Sequence, residues 1–83
     1  MKLTKKLLKD YVEPELDIFR DKCNFTEEEL EYFNLKSKNA SDTKIAMVMQ
    51  ISSSKVGVLS KLVRKKMKIV IDFDIDIENY YSE

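Results

Sequence analysis

The chain of 83 residues contains no histidine and a single cysteine. Without histidine it lacks the usual general base of neutral-pH catalysis and the commonest metal ligand. Cys23 alone can form no internal disulfide, and with no histidine to activate it, it reads as a small apolar filler rather than a nucleophile. Neither an enzymatic role nor a cofactor is expected. No apolar run approaches the ~20 residues of a membrane helix, and the lysine-rich start has no apolar signal-peptide core. The expectation is therefore a cytoplasmic protein with no membrane partner. Net charge is missing too, because 15 basic and 15 acidic side chains cancel. A chain this short can build one modest core, so residues 1–83 read as a single domain.

What the sequence does contain is charge sorted into blocks. Glu27, Glu28, Glu29 and Glu31 form an acidic patch. Lys55, Lys61, Arg64, Lys65, Lys66 and Lys68 form a basic stretch, and Asp72, Asp74, Asp76, Glu78 and Glu83 an acidic tail. A neutral total thus hides a strongly polar map.

Residues 1–24 read as a helical arm with a break. Leu7, Leu8, Tyr11 and Val12 fall at one-turn spacing with Thr4 as cap, and Pro14 stops or kinks that helix near Glu13. Pro14 then suits the start of a second helix, whose apolar face is Leu16, Phe19 and Cys23. Lys2, Lys5, Lys6 and Lys9 read as the wet side of the arm, with phosphate contact as the other reading.

Residues 25–68 form the core of the fold. In "FTEEEL" the Thr26 hydroxyl can accept the Glu29 N–H while the Glu29 carboxylate accepts the Thr26 N–H, with Phe25 and Leu30 in the positions of a hydrophobic staple. A helix starts at Glu27, its glutamates facing the positive end of the dipole, and buries Leu30 and Phe33, with Tyr32 a further candidate for that face. Asn39 can take the left-handed conformation that ends it. Ser41 caps a helix from Asp42 to about Met49 with Ile45, Ala46 and Met49 inside. After a turn at Gln50 and Ile51, Ser52 caps another helix with Val56, Leu59, Val63 and Met67 inside. The fold class is mainly α: a tri-helical helix-turn-helix core, an N-terminal helical arm and a C-terminal strand or helix extension.

The "TEEE" start, the "SDTKIA" second helix and "ISSSKV" followed by "LSKLVRKKM" resemble the tri-helical DNA-binding domain of LuxR-type regulators and of region four of bacterial sigma factors. The resemblance runs from Phe25 to Met67 and is closest to the small regulators of this kind in bacteriophages and prophages. It implies a transcriptional regulator whose helix 53–67 lies in the major groove of double-stranded DNA. Ser53, Ser54 and Lys55 in the first turn would meet base edges or phosphate, and Lys61 would continue the contact. Gly57 would let the backbone approach closely, and Val58 could touch a thymine methyl. Thr43 and Lys44 would hold the phosphate backbone. For the cluster Arg64, Lys65, Lys66 and Lys68, phosphate binding and complement to a helix C-terminus are both open. Gln50 stands where such turns prefer glycine or asparagine, and Gly57 and Val58 stand where relatives often carry base-reading side chains. The other reading is therefore a helix-turn-helix-shaped module that binds RNA polymerase or another regulator.

In residues 69–83 the period changes. Ile69, Ile71, Phe73, Ile75 and Ile77 alternate with Asp72, Asp74 and Asp76, the pattern of a half-buried strand. A continued helix, with Ile69, Phe73, Ile77 and Tyr80 or Tyr81 in one stripe, is the rival reading. Either form offers an apolar face for a homodimer.

Overall fold

The chain has only one glycine, yet three residues take left-handed backbone: Asn24 (φ 52), Asn39 (φ 65) and Gln50 (φ 56). Each lies just past a helix, where such a residue lets the chain turn away. The computed structural model describes the backbone of residues 3–81 and the side chains of residues 3–73. Its elements are a short 3-10 turn at Leu8–Asp10, α1 (Glu13–Lys22), α2 (Glu27–Ser37), α3 (Asp42–Met49) and α4 (Ser53–Tyr81). The described residues contain no strand, and the protein is mainly α-helical.

Local chemistry accounts for the starts of the last three helices. Thr26 Oγ1 accepts the Glu29 N–H at 3.2 Å and the Glu29 carboxylate accepts the Thr26 N–H at 2.9 Å, so the reciprocal cap of α2 forms. Ser41 Oγ accepts the Lys44 N–H at 3.1 Å, and Ser52 Oγ accepts the Lys55 N–H at 3.1 Å. Gln50 supplies the left-handed turn between α3 and α4 at a steric cost of roughly 1 kcal/mol that glycine would not incur.

Two expectations are corrected. The segment before Pro14 is not a helix capped by Thr4: outside the Leu8–Asp10 turn it is an irregular strap. Leu3 is fully buried and Tyr11 nearly so, while Leu7 and Val12 point to solvent. The Tyr11 hydroxyl donates to the Thr4 carbonyl at 2.7 Å and accepts the Lys6 N–H at 3.0 Å. A helix of under ~12 residues is marginal in water, so burying Leu3 and satisfying the Tyr11 hydroxyl outweighs its few hydrogen bonds. Pro14 becomes the second residue of α1. There the Glu15 carboxylate accepts the Val12 N–H at 3.0 Å and pairs with Lys6 at 3.2 Å.

The second correction concerns the tail, which is not a strand. α4 runs unbroken for 29 residues, about 43 Å at 1.5 Å per residue, in a molecule whose longest dimension is 49 Å. An isolated strand would leave its backbone groups unpaired, whereas a helix satisfies them within itself. Val70 and Ile71, adjacent residues that a strand would turn to opposite faces, are both buried, while Ile69 and Phe73 are exposed. The side chains of Ile75, Ile77, Tyr80 and Tyr81 lie outside the described ones.

α4 is the spine on which the rest packs. Val56, Leu59 and Val63 meet α2 and α3 around Phe33 and Ile45, and Met67, Val70 and Ile71 belong to the same buried cluster as Leu3, Tyr11, Leu16 and Phe19. Phe33 is shared, lying edge-on to Phe19 at 6.2 Å and tilted on Phe25 at 5.0 Å. Leu30, expected inside, is only half-buried. Cys23 is buried, and burial pushes its thiol up to about 11, so it is protonated at neutral pH.

The Glu29 carboxylate, which caps α2, also holds Lys66 of α4 at 2.5 Å, and Lys66 donates to the Asn24 carbonyl at 3.2 Å. Burial pushes the Glu29 carboxyl up. The Lys66 ammonium and the Thr26 N–H outweigh that and hold it below the ordinary 4.5. Glu15 is also lowered, chiefly by the Val12 N–H and further by Lys6, against a desolvation that raises it. Both carboxylates then bind protons more weakly folded than unfolded. Their stabilisation is complete above about 4.5 and is lost as pH falls through the lower folded values. Urea melts taken from about pH 6 down to about pH 3 should show the midpoint falling, and Glu29→Gln should flatten that fall. An equally steep fall in the variant would remove Glu29 as its source.

Candidate nucleic-acid interface

The outer side of α4 follows from its buried side. Val56, Leu59, Val63, Met67 and Val70 recur every three to four residues and face the core. Ser54, Gly57, Val58, Lys61, Lys65 and Lys68 fall on the opposite side and are exposed, as is Ser53 at the helix start. Lys61, Lys65 and Lys68, at i, i+4 and i+7, make a cationic strip about 10 Å long.

That strip differs from five of the other basic residues, while Lys5, Lys9, Lys22, Lys38, Lys44 and Arg64 likewise meet no carboxylate among the described residues. Lys6, Arg20, Lys36, Lys55 and Lys66 all have carboxylate partners. Lys61, Lys65 and Lys68 have none among the described residues. Like charges one turn apart destabilise a helix by a few tenths of a kcal/mol per pair, so within the monomer the strip is a cost. Nor does it complement a helix C-terminus. That effect is confined to the last turn, and α4 continues more than three turns beyond Lys68.

The structure divides the expected site residues. Ser53, Ser54, Gly57, Val58, Lys61 and Lys65 share the exposed side of one helix. Lys55 does not join them: it turns to α2 and pairs with Glu28 at 3.5 Å. Thr43 and Lys44 are exposed in the first turn of α3, which Lys36 ties to α2 through Asp42 at 3.0 Å. Within the basic run, Lys66 is committed to Glu29, and Arg64 donates to the buried Ser60 hydroxyl at 2.6 and 3.1 Å. Lys68, weighed for phosphate only within the basic cluster, is the strip residue that the sequence did not single out as a site residue. Its i+7 spacing from Lys61 was visible, but a helix ending near Met67 put it outside the strip.

No family model, curated protein or solved structure matches this chain. Among the described residues no group of histidine, cysteine or carboxylate side chains could hold a metal, and no helix is long and apolar enough to cross a membrane.

Gly57 is informative because nothing in the chain requires it. A Cβ built there would meet no atom within 4 Å, and its backbone is ordinary helix. Gly57→Ala should therefore raise stability by about 0.5–1 kcal/mol, read as a higher urea midpoint. A loss of stability would mean that the position is tighter than it looks.

Proposed function

We propose that the protein is a DNA-binding transcriptional regulator of helix-turn-helix form, related in design to LuxR-type domains and sigma region four. The outer side of α4 over residues 53–67 enters the major groove of double-stranded DNA. Ser53, Ser54, Val58 and Lys61 face base edges or phosphate, Lys65 and Lys68 follow the backbone, and Thr43 and Lys44 fix orientation from α3. Lys55 leaves its pair with Glu28 only if phosphate replaces the carboxylate.

The observation that carries this reading is the row of cations on the outer side of α4 that meet no carboxylate among the described residues. A polyanion removes the mutual repulsion that the monomer leaves uncompensated. The capped, tightly joined α3–α4 pair supports it, because Thr43 at the start of α3 and Ser53 and Ser54 at the start of α4 present exposed hydroxyls. Fluorescence polarization against random duplex DNA tests the reading: affinity should be measurable at about 50 mM salt and fall steeply by about 200 mM. Gly57→Ala should weaken that binding while stabilising the fold, because the glycine lets the helix backbone lie close to the groove.

A second reading is favoured by Met47 and Val48 on α3 and Val58 on α4, all exposed. Such apolar residues suit a protein partner, RNA polymerase or another regulator, better than phosphate. Absence of any DNA affinity at low salt, together with loss of polymerase capture in Met47→Glu, would select it.

A further inference from the structure

α4 carries an apolar stripe beside the cationic strip. Leu62, Ile69 and Phe73, at i, i+7 and i+11, lie on one side of the helix and are 42%, 58% and 54% exposed. The core does not need them, since Val63, Met67 and Val70 face the body from another side. A groove bordered by Lys22, Ile69, Val70 and Phe73 lies open alongside the stripe.

Charge along the same helix tells which partner fits. Residues 61–68 hold Lys61, Arg64, Lys65, Lys66 and Lys68 and no acid, whereas residues 72–78 hold Asp72, Asp74, Asp76 and Glu78 and no base. The two blocks mirror each other about Ile71. Set a second α4 antiparallel to the first with the two Ile71 residues level, and position 65 (lysine) of one comes within one residue of level with position 76 (aspartate) of the other; eleven residues apart, the two positions lie on the same rim of the apolar stripe. In the same register Ile69 comes level with Phe73. Twofold symmetry repeats every such match, because the surface offered by one copy is the surface required by the other. A parallel copy would set cation beside cation and acid beside acid, which opposes pairing.

We propose that the protein forms a twofold dimer in which two α4 helices pair antiparallel over residues 61–81, centred at Ile71. The overlap is about 31 Å, close to three heptads. An unpaired helix projecting with a wet apolar stripe becomes a shared seam. The partner is a second copy of this chain because the charge pattern complements itself only when reversed.

Sedimentation equilibrium of the full chain at about 100 μM should give a dimer. Phe73→Asp should give a monomer with unchanged far-UV circular dichroism, since Phe73 is more than half exposed in the single chain. Orientation is read by a spin label on Ser54→Cys, with Cys23 buried and protonated and so left unlabelled. Antiparallel pairing sets the two labels about 50 Å apart, and parallel pairing within about 20 Å. The proposal is overturned by a monomer at that concentration, which would leave the stripe to a different protein, or by the short distance. Neither measurement involves DNA, so its failure would leave the DNA-binding reading standing.

Discussion

Glu29→Ala should lower stability by about 2–4 kcal/mol, well beyond the ~1 kcal/mol expected for Thr26→Ala. Thr26→Ala removes one side of a cap. Glu29→Ala removes the other side and also the only carboxylate that Lys66 meets among the described residues, 37 positions along the chain. Breaking a buried pair by removing one partner costs about 3–5 kcal/mol, and the estimate is set lower because Lys66 keeps a path to water. For a domain of this size each kcal/mol moves Tm by about 4–8 °C, so Tm should fall by about 8–30 °C. A double-mutant cycle with Lys66→Ala should show coupling of roughly 1–3 kcal/mol. A loss no larger than that of Thr26→Ala would mean that the pair does not tie α2 to α4.

Changing Lys44, Lys61 and Lys68 together to glutamine should weaken duplex DNA binding by roughly tenfold to a hundredfold at low salt. Each phosphate contact contributes about 0.9 to the slope of log affinity against log salt, so the slope should become shallower by up to about 2.7. Stability should stay level or rise, because the variant relieves like-charge repulsion along α4. Lys65 is left in place since it borders the apolar stripe, which keeps self-association out of the comparison. A control variant with Lys5, Lys9 and Lys38 changed to glutamine alters net charge equally but lies on the strap and at the end of α2. If both variants lose the same affinity, the protein attracts DNA by bulk charge alone and the strip on α4 has no special part.

The helix starts were legible because their chemistry is local. Thr26 with Glu29, Ser41 and Ser52 each place an oxygen within three residues of the N–H it accepts, and no distant part of the chain has to agree. The inner faces of α3 and α4 were legible for a similar reason, since apolar residues at three- to four-residue spacing have only one side to share. The exposed site residues follow as the complement of those faces. The same local reading failed for the strap, where helical spacing at Leu7, Leu8, Tyr11 and Val12 competed with an alternative that only α4 and α1 supply.

By itself, then, the sequence determined which residues cap, which faces are apolar, and that the chain is mainly helical. Tertiary structure decided the rest, because the deciding energies lie between segments far apart in sequence. Whether residues 69–81 are strand or helix turned on Val70 and Ile71 finding the buried cluster shared with Leu3 and Tyr11. Which lysines pair with α2 turned on where its carboxylates end up: Glu28 takes Lys55 and Glu29 takes Lys66. Lys61, Lys65 and Lys68 differ from them by nothing visible in a run of basic letters. They differ because α2 lies on the other side of the helix, and an ion pair needs its partner within about 4 Å.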